Sequence, residues 1–131
     1  MMGWEELIQQ VNFINLGAAV LLPLSFIGLD FLTGFVNALI KHEVSSSKMR
    51  EGGGKKFGEL VCICVALLGV AFIRIPTQAV YAVSAYICLM ELISIYENIK
   101  LLGVTVPGAL DHKVDDLKHD ISDSKSDKED E

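Results

Sequence analysis

The chain has 131 residues, a length typical of one small domain, but 51% of them are hydrophobic. The mean hydropathy is positive, at +0.43. The net charge of −6 is concentrated near the C-terminal end, because residues 111–131 carry −5 of it. This distribution argues against a basic nucleic-acid-binding surface. It indicates a body embedded in a membrane, followed by a charged tail.

The N-terminal segment, residues 1–15, is predicted to lie at the membrane interface. It contains Trp4 next to Glu5 and Glu6, and an indole ring is favoured at the level of the lipid headgroups. A signal peptide would instead begin with basic residues and end in a small-residue cleavage site. We therefore expect this segment to remain in the mature protein.

The run from Leu7 to Ile40 contains one charged residue, Asp30. As a straight helix it would measure about 50 Å, whereas the hydrocarbon core of a bilayer is about 30 Å thick. We predict that residues 16–40 form transmembrane helix 1, which crosses once with some tilt. The alternative is a break at Pro23 that would divide the run into two short re-entrant arms.

Residues 41–56 are predicted to form a flexible Ser/Gly loop on the cytoplasmic side. The runs of Ser at 45–47 and Gly at 52–54 are weak helix formers. Lys and Arg in a short loop mark the cytoplasmic face of a membrane. The cations that determine this topology are Lys41, Lys48, Arg50, Lys55 and Lys56.

Two further transmembrane helices are predicted over residues 57–75 and 78–100. Pro76 lies between them and halts the helix there. With the basic loop inside, the N-terminus and this turn are expected outside. The predicted fold class is therefore an all-α membrane protein with three transmembrane helices.

Residues 101–131 are predicted to form a cytoplasmic acidic tail. A short helix is expected near 110–121, where apolar residues recur at intervals of three or four. After residue 121 the tail has almost no apolar content with which to fold, so we predict that it is largely disordered.

Polar residues at membrane depth form a stripe on each of two predicted helices. Helical rise places Asp30 about 16 Å and Glu91 about 13 Å from the cytoplasmic boundary. Ionisable groups at this depth cost free energy, and small or polar faces allow membrane helices to approach and hydrogen-bond. The stripes comprise Asp30, Thr33, Gly34 and Asn37 on the first crossing and Ser84, Glu91, Ser94 and Asn98 on the third.

Three interpretations of these stripes remain open. They form a seam within one chain, a face that pairs between subunits or lines water, or a proton relay or cation site. The cysteines give no metal-binding pattern, because Cys62 and Cys64 have no second ligand pair nearby. We predict no catalytic, cofactor-binding or metal-binding residue.

Two sequence blocks carry a family resemblance. The first is LDFLTGFVNALIKHEVSS followed by GGGKK, and the second is MELISIYENIKLLGVTVPGAL. Together they resemble, in the same order, the motifs of the small phage-lysis and toxin-secretion holins of Gram-positive bacteria and their phages. The matching residues are Asp30, Thr33, Gly34, Lys41, Ser46, Ser47, Gly54, Lys55 and Lys56, then Glu91, Ser94, Glu97, Asn98, Gly103 and Pro107.

The resemblance implies a multi-pass protein of the bacterial cytoplasmic membrane that self-associates into large oligomers and opens lesions at a set time. Its partners would be the lipid bilayer, further copies of the chain and an endolysin that leaves through the lesions. In some members a large toxin is exported instead. Two alternatives stay open: a small proton-coupled transporter that uses Glu91, and an antiholin that restrains a pore-forming partner.

Overall fold

The computed structural model describes the backbone of residues 3–129, and the side chains of residues 3–6 and 15–125. Four α-helices follow one another: α1 (Trp4–Ile40), α2 (Ser46–Leu68), α3 (Gln78–Leu101) and α4 (Gly108–Glu129). A π-helical turn, Gly69–Ile73, extends α2. The described residues contain no β-strand, and the predicted all-α class is confirmed.

Three segments are long and apolar enough to cross a membrane: Asn15–Ile40, Ser46–Ile73 and Gln78–Leu101. The prediction of three transmembrane helices is therefore confirmed. α1 and α3 pack closely against each other, and α2 lies beside them. At the centre of the three helices, Ile27, Ile63 and Ile87 form a small buried core.

α1 is continuous through Pro23, whose side chain is fully buried. Proline removes one backbone donor, and membrane helices tolerate this loss when neighbouring groups satisfy the freed carbonyl. Two residues after Pro23, the Ser25 hydroxyl adds a hydrogen bond within the helix, to the carbonyl of Leu21 at 2.8 Å. The structure thus has one long helix rather than the two re-entrant arms of the alternative. That residues 1–15 lie at the interface remains a prediction, and the side chains of 7–14 are outside the described residues.

The loop predicted over residues 41–56 is much shorter in the structure, because α2 begins at Ser46. Ser45 caps this helix, and its hydroxyl accepts a hydrogen bond from the backbone N–H of Lys48 at 3.2 Å. Each glycine of the 52–54 run weakens a helix by about 1 kcal/mol relative to alanine. Ion pairs made by Lys55 and Lys56 hold the same segment against its neighbours, so tertiary contacts override the local preference.

The turn between α2 and α3 reverses the chain within a few residues. Arg74 adopts a left-handed backbone with φ of 59°, and the N–H of Ile75 donates to the carbonyl of Gly69 at 3.2 Å. A Cβ at position 69 would lie 2.8 Å from Cδ1 of Ile75. A side chain at position 69 would therefore displace the end of the Ile75 side chain.

The tail also differs from its prediction, because α4 continues to Glu129 instead of ending near residue 121. The buried Val114 lies with Leu110 and Leu117 on the side of α4 that faces α3. Further along, His119 and Asp123 lie 3.0 Å apart at i, i+4 spacing, which supports a solvated helix. Side-chain pairs of this kind extend the helix where apolar residues run out.

Candidate functional site

Lys56 joins three helices through its ammonium group. Its Nζ donates to Oδ2 of Asp30 on α1 at 2.6 Å and to Oε2 of Glu91 on α3 at 2.5 Å. Asp30 is 8% exposed and Glu91 is 0% exposed. Buried charges are tolerated when they are paired and hydrogen-bonded. One cation on α2 therefore holds a carboxylate from each of its two neighbours.

Asn98 forms the second link between α1 and α3. Its Nδ2 donates to Oδ1 of Asp30 at 2.9 Å and to Oγ1 of Thr33 at 3.0 Å. The Thr33 hydroxyl in turn donates to the carbonyl of Leu29 at 2.9 Å. In the reverse direction, Nδ2 of Asn37 donates to the backbone carbonyl of Asn98 at 2.8 Å. We call Asp30, Lys56, Glu91 and Asn98 the polar cluster.

The structure brings most of the predicted stripe residues to this seam. Gly34 lies against it, because a Cβ there would be 3.5 Å from Nδ2 of Asn98. Ser94 lies in the groove that also borders Asp30. Ser84 is the exception, because it is buried two turns before Glu91 and away from the seam.

The predicted topology-determining cations separate into two groups. Lys41, Lys48 and Arg50 are exposed. Lys56 is in the polar cluster, and Lys55 lies 3.9 Å from Oε1 of Glu91. Sequence reasoning missed this role because it placed both lysines in a loop. A helix that began at Ser45–Ser46 would have placed them at the depth of Asp30.

Glu59 is a further residue that sequence reasoning missed. It lies on α2 one turn after Lys55, and its Oε1 is 3.8 Å from the Lys55 Nζ. The available signal was its position within the predicted crossing 57–75, since an ionisable residue inside a membrane span calls for a partner. In the part of the chain that the structure describes, no group of three or more His, Cys, Asp or Glu residues could hold a metal ion.

A groove of about 310 Å³ runs between the end of α1 and the start of α2. Phe31 and Phe35 line it on the α1 side, and Lys48 and Gly52 line it on the α2 side. It reaches both Asp30 and Lys56. The charged first turns of α2 thus lie alongside the apolar last turns of α1.

A separate set of contacts fixes α4 to the end of α3. The carboxylate of Asp111 accepts hydrogen bonds from the Tyr96 hydroxyl and from the Lys100 ammonium, each at 2.6 Å. The Lys100 ammonium, with the Tyr96 hydroxyl, holds the pKa of Asp111 below its ordinary value. Lys118 also pairs with Glu97. These charges secure the tail where it leaves the membrane-spanning helices.

Comparison with known proteins identifies one family. The sequence pattern of the bacteriophage holin family matches residues 11–119, which include the polar cluster and the three candidate membrane spans. No curated protein and no solved structure matches the chain. The match confirms the resemblance carried by the two sequence blocks. The chain is a multi-pass membrane protein that belongs to the bacteriophage holin family.

Proposed function

We propose that the chain is a holin that oligomerises in the bacterial cytoplasmic membrane and opens lesions through which an endolysin, or a large toxin, leaves the cell. Membership of a pore-forming, non-enzymatic family supports this proposal. It is also supported by charged side chains inside a candidate membrane span.

The observation that carries the proposal is the contrast between neighbouring surfaces of α1 and α2. Phe31 and Phe35 are exposed on α1, as lipid-facing side chains are. Across the groove, Lys48 is exposed on the first turns of α2, and Arg50 is exposed two residues further along, both at the start of the candidate span Ser46–Ile73. Charged side chains in contact with lipid cost free energy, whereas charges that face water do not. Assembly that turns this side of α2 towards a water-filled lesion is therefore favoured.

The polar cluster allows a single subunit to remain in the membrane before it assembles. Lys56 pairs with both Asp30 and Glu91 within one chain, so the subunit can accumulate without exposing these carboxylates to lipid. In an assembly, the same groups can bind water or side chains of neighbouring subunits. The polar cluster thus stabilises the unassembled subunit and can also contribute contacts in the assembled lesion.

The test is expression of the full chain in bacteria together with an endolysin that has no export signal of its own. We expect membrane potential to be steady during accumulation, then to collapse abruptly, followed by endolysin activity in the medium. A catalytically inactive endolysin is the matched control, because it leaves depolarisation intact and removes only the lysis. Steady growth and potential at high membrane levels of the chain would refute the proposal.

Two other outcomes would also contradict it. An antiholin would not depolarise cells by itself and would delay the depolarisation caused by a co-expressed lysis-competent holin. A transporter would give a pH-dependent flux through Glu91 without lysis or release of endolysin.

A further inference from the structure

Where α2 packs against α3, Glu59 and the polar-cluster residue Glu91 lack hydrogen-bond donors for part of their carboxylates. Glu59 on α2 and Glu91 on α3 flank the same ammonium, that of Lys55, and each has a carboxylate oxygen within 4 Å of its Nζ. The Glu59 side chain is 14% exposed, and Glu91 is fully buried. Oε2 of Glu59 and Oε1 of Glu91 are both buried and accept no hydrogen bond. Ionised carboxylates are acceptors only, so these two oxygens cannot satisfy each other.

The nearby ammonium groups do not donate hydrogen bonds to these two oxygens. Lys56 gives its short hydrogen bonds to Asp30 and to the other oxygen of Glu91. Lys55 is largely exposed, and its Nζ lies 3.8 Å from Glu59 and 3.9 Å from Glu91, beyond hydrogen-bond distance. The charged groups that face the site are thus Asp30 from α1 and Lys55, Lys56 and Glu59 from α2. With Glu91, three carboxylates face two ammonium groups, which leaves one negative charge uncompensated.

We propose that Glu59 and Glu91 bind one proton between them, which makes the α2–α3 contact a proton-binding site. The shared proton supplies the missing donor, because the O–H of one carboxyl then donates to the other. It also balances the charge of the five groups. Two carboxyls in contact commonly share a proton for this reason, since both cannot remain ionised at short distance in a site with little water.

The site borders a groove, and its protonation has a consequence for packing. A groove of about 590 Å³ opens beside Glu59 between α2 and α3, bordered by Gly58 and Tyr86. With the proton bound, the glutamate pair holds the two helices together. Loss of the proton leaves two like charges in contact and favours separation of α2 from α3.

Infrared spectroscopy of the full chain in lipid bilayers tests the site directly. A protonated carboxylic acid has a carbonyl band that an ionised carboxylate lacks, and ¹³C-glutamate labelling shifts that band only for glutamates. At neutral pH we expect the band of one protonated glutamate per chain, which disappears as the pH is raised. E59Q and E91Q should each abolish it. E51Q should retain it, because Glu51 is an exposed glutamate on the same helix.

The proposal is overturned if the wild-type chain shows no protonated glutamate at neutral pH, or if the band persists in both E59Q and E91Q. The titration of the wild-type chain decides the question even where a variant fails to fold, which circular dichroism detects. The proton site stands or falls independently of the proposed function, because release of endolysin from cells is a separate measurement.

Discussion

Lys56→Met removes the ammonium that joins α1, α2 and α3 while keeping a side chain of similar length. Asp30 and Glu91 would lose hydrogen bonds of 2.6 and 2.5 Å and remain buried without a cation between them. We therefore expect a large loss in the free energy of unfolding.

The magnitude follows from two limits. Removing one member of a buried ion pair typically costs 3–5 kcal/mol, or about 4 kcal/mol here. The protein can relieve the stranded charge by protonating Asp30. For a carboxyl with an ordinary pKa of about 3.9, protonation at pH 7 costs about 4 kcal/mol, since one pKa unit corresponds to about 1.4 kcal/mol. We expect a loss of about 3–4 kcal/mol on these grounds.

The assay is a denaturant titration of the full chain in mild detergent micelles, with helical content followed by circular dichroism. Lys48→Met is the matched control, because this lysine is 71% exposed and lies 3.8 Å from Glu43. Such a surface pair contributes about 0–1 kcal/mol. The triple variant D30N/K56M/E91Q should recover most of the stability, because it leaves no stranded charge. Equal stabilities of the Lys56 and Lys48 variants would refute the reasoning.

Three further predictions concern the contacts around the polar cluster and the tail. Asn98→Leu removes the amide between α1 and α3 and should cost about 1–2 kcal/mol in the same unfolding assay, whereas the exposed Asn15→Leu should leave stability unchanged. Gly34→Leu should destabilise because even a Cβ there is 3.5 Å from the seam, while Gly28→Leu, with nothing within 4 Å of its Cβ, should be tolerated; equal effects would contradict the close α1–α3 packing. Lys100 and Tyr96 on α3 lower the pKa of Asp111 in the folded chain. Ionised Asp111 therefore stabilises the α3–α4 contact at pH values above the ordinary carboxyl pKa of about 3.9. That stabilisation is lost as the pH falls through the lowered pKa of Asp111. Carboxyl NMR measures this pKa, and a titration midpoint at or above about 3.9 would contradict the prediction.

The number of membrane helices could be predicted because it depends on the length and hydropathy of single segments. The positions of Asp30 and Glu91 at a similar depth could be inferred from helical rise alone. What joins them could not, because Lys56 comes from a third helix. No periodicity within one helix reveals which side chain a different helix supplies.

The start of α2 shows how tertiary contacts override local sequence preference. Glycines at 52–54 favour a flexible connection, yet the cap at Ser45 and the ion pairs of Lys55 and Lys56 keep this stretch helical. Glu59 was overlooked for a related reason. It is a single acid in an apolar run, and its position becomes informative only when α3 brings Glu91 to the same Lys55 ammonium.

The role of the polar cluster in lesion formation is tested most directly by expressing D30N/K56M/E91Q in bacteria and recording the membrane potential. We expect this neutral variant to reach the same level in the membrane as the wild-type chain, because its seam has no stranded charge. The wild-type chain should collapse the potential abruptly, and the neutral variant should not, because it lacks the buried charges proposed to bind water or neighbouring subunits in the assembly. Collapse of the potential by the neutral variant at the wild-type time and protein level would contradict the proposed role of Asp30, Lys56 and Glu91.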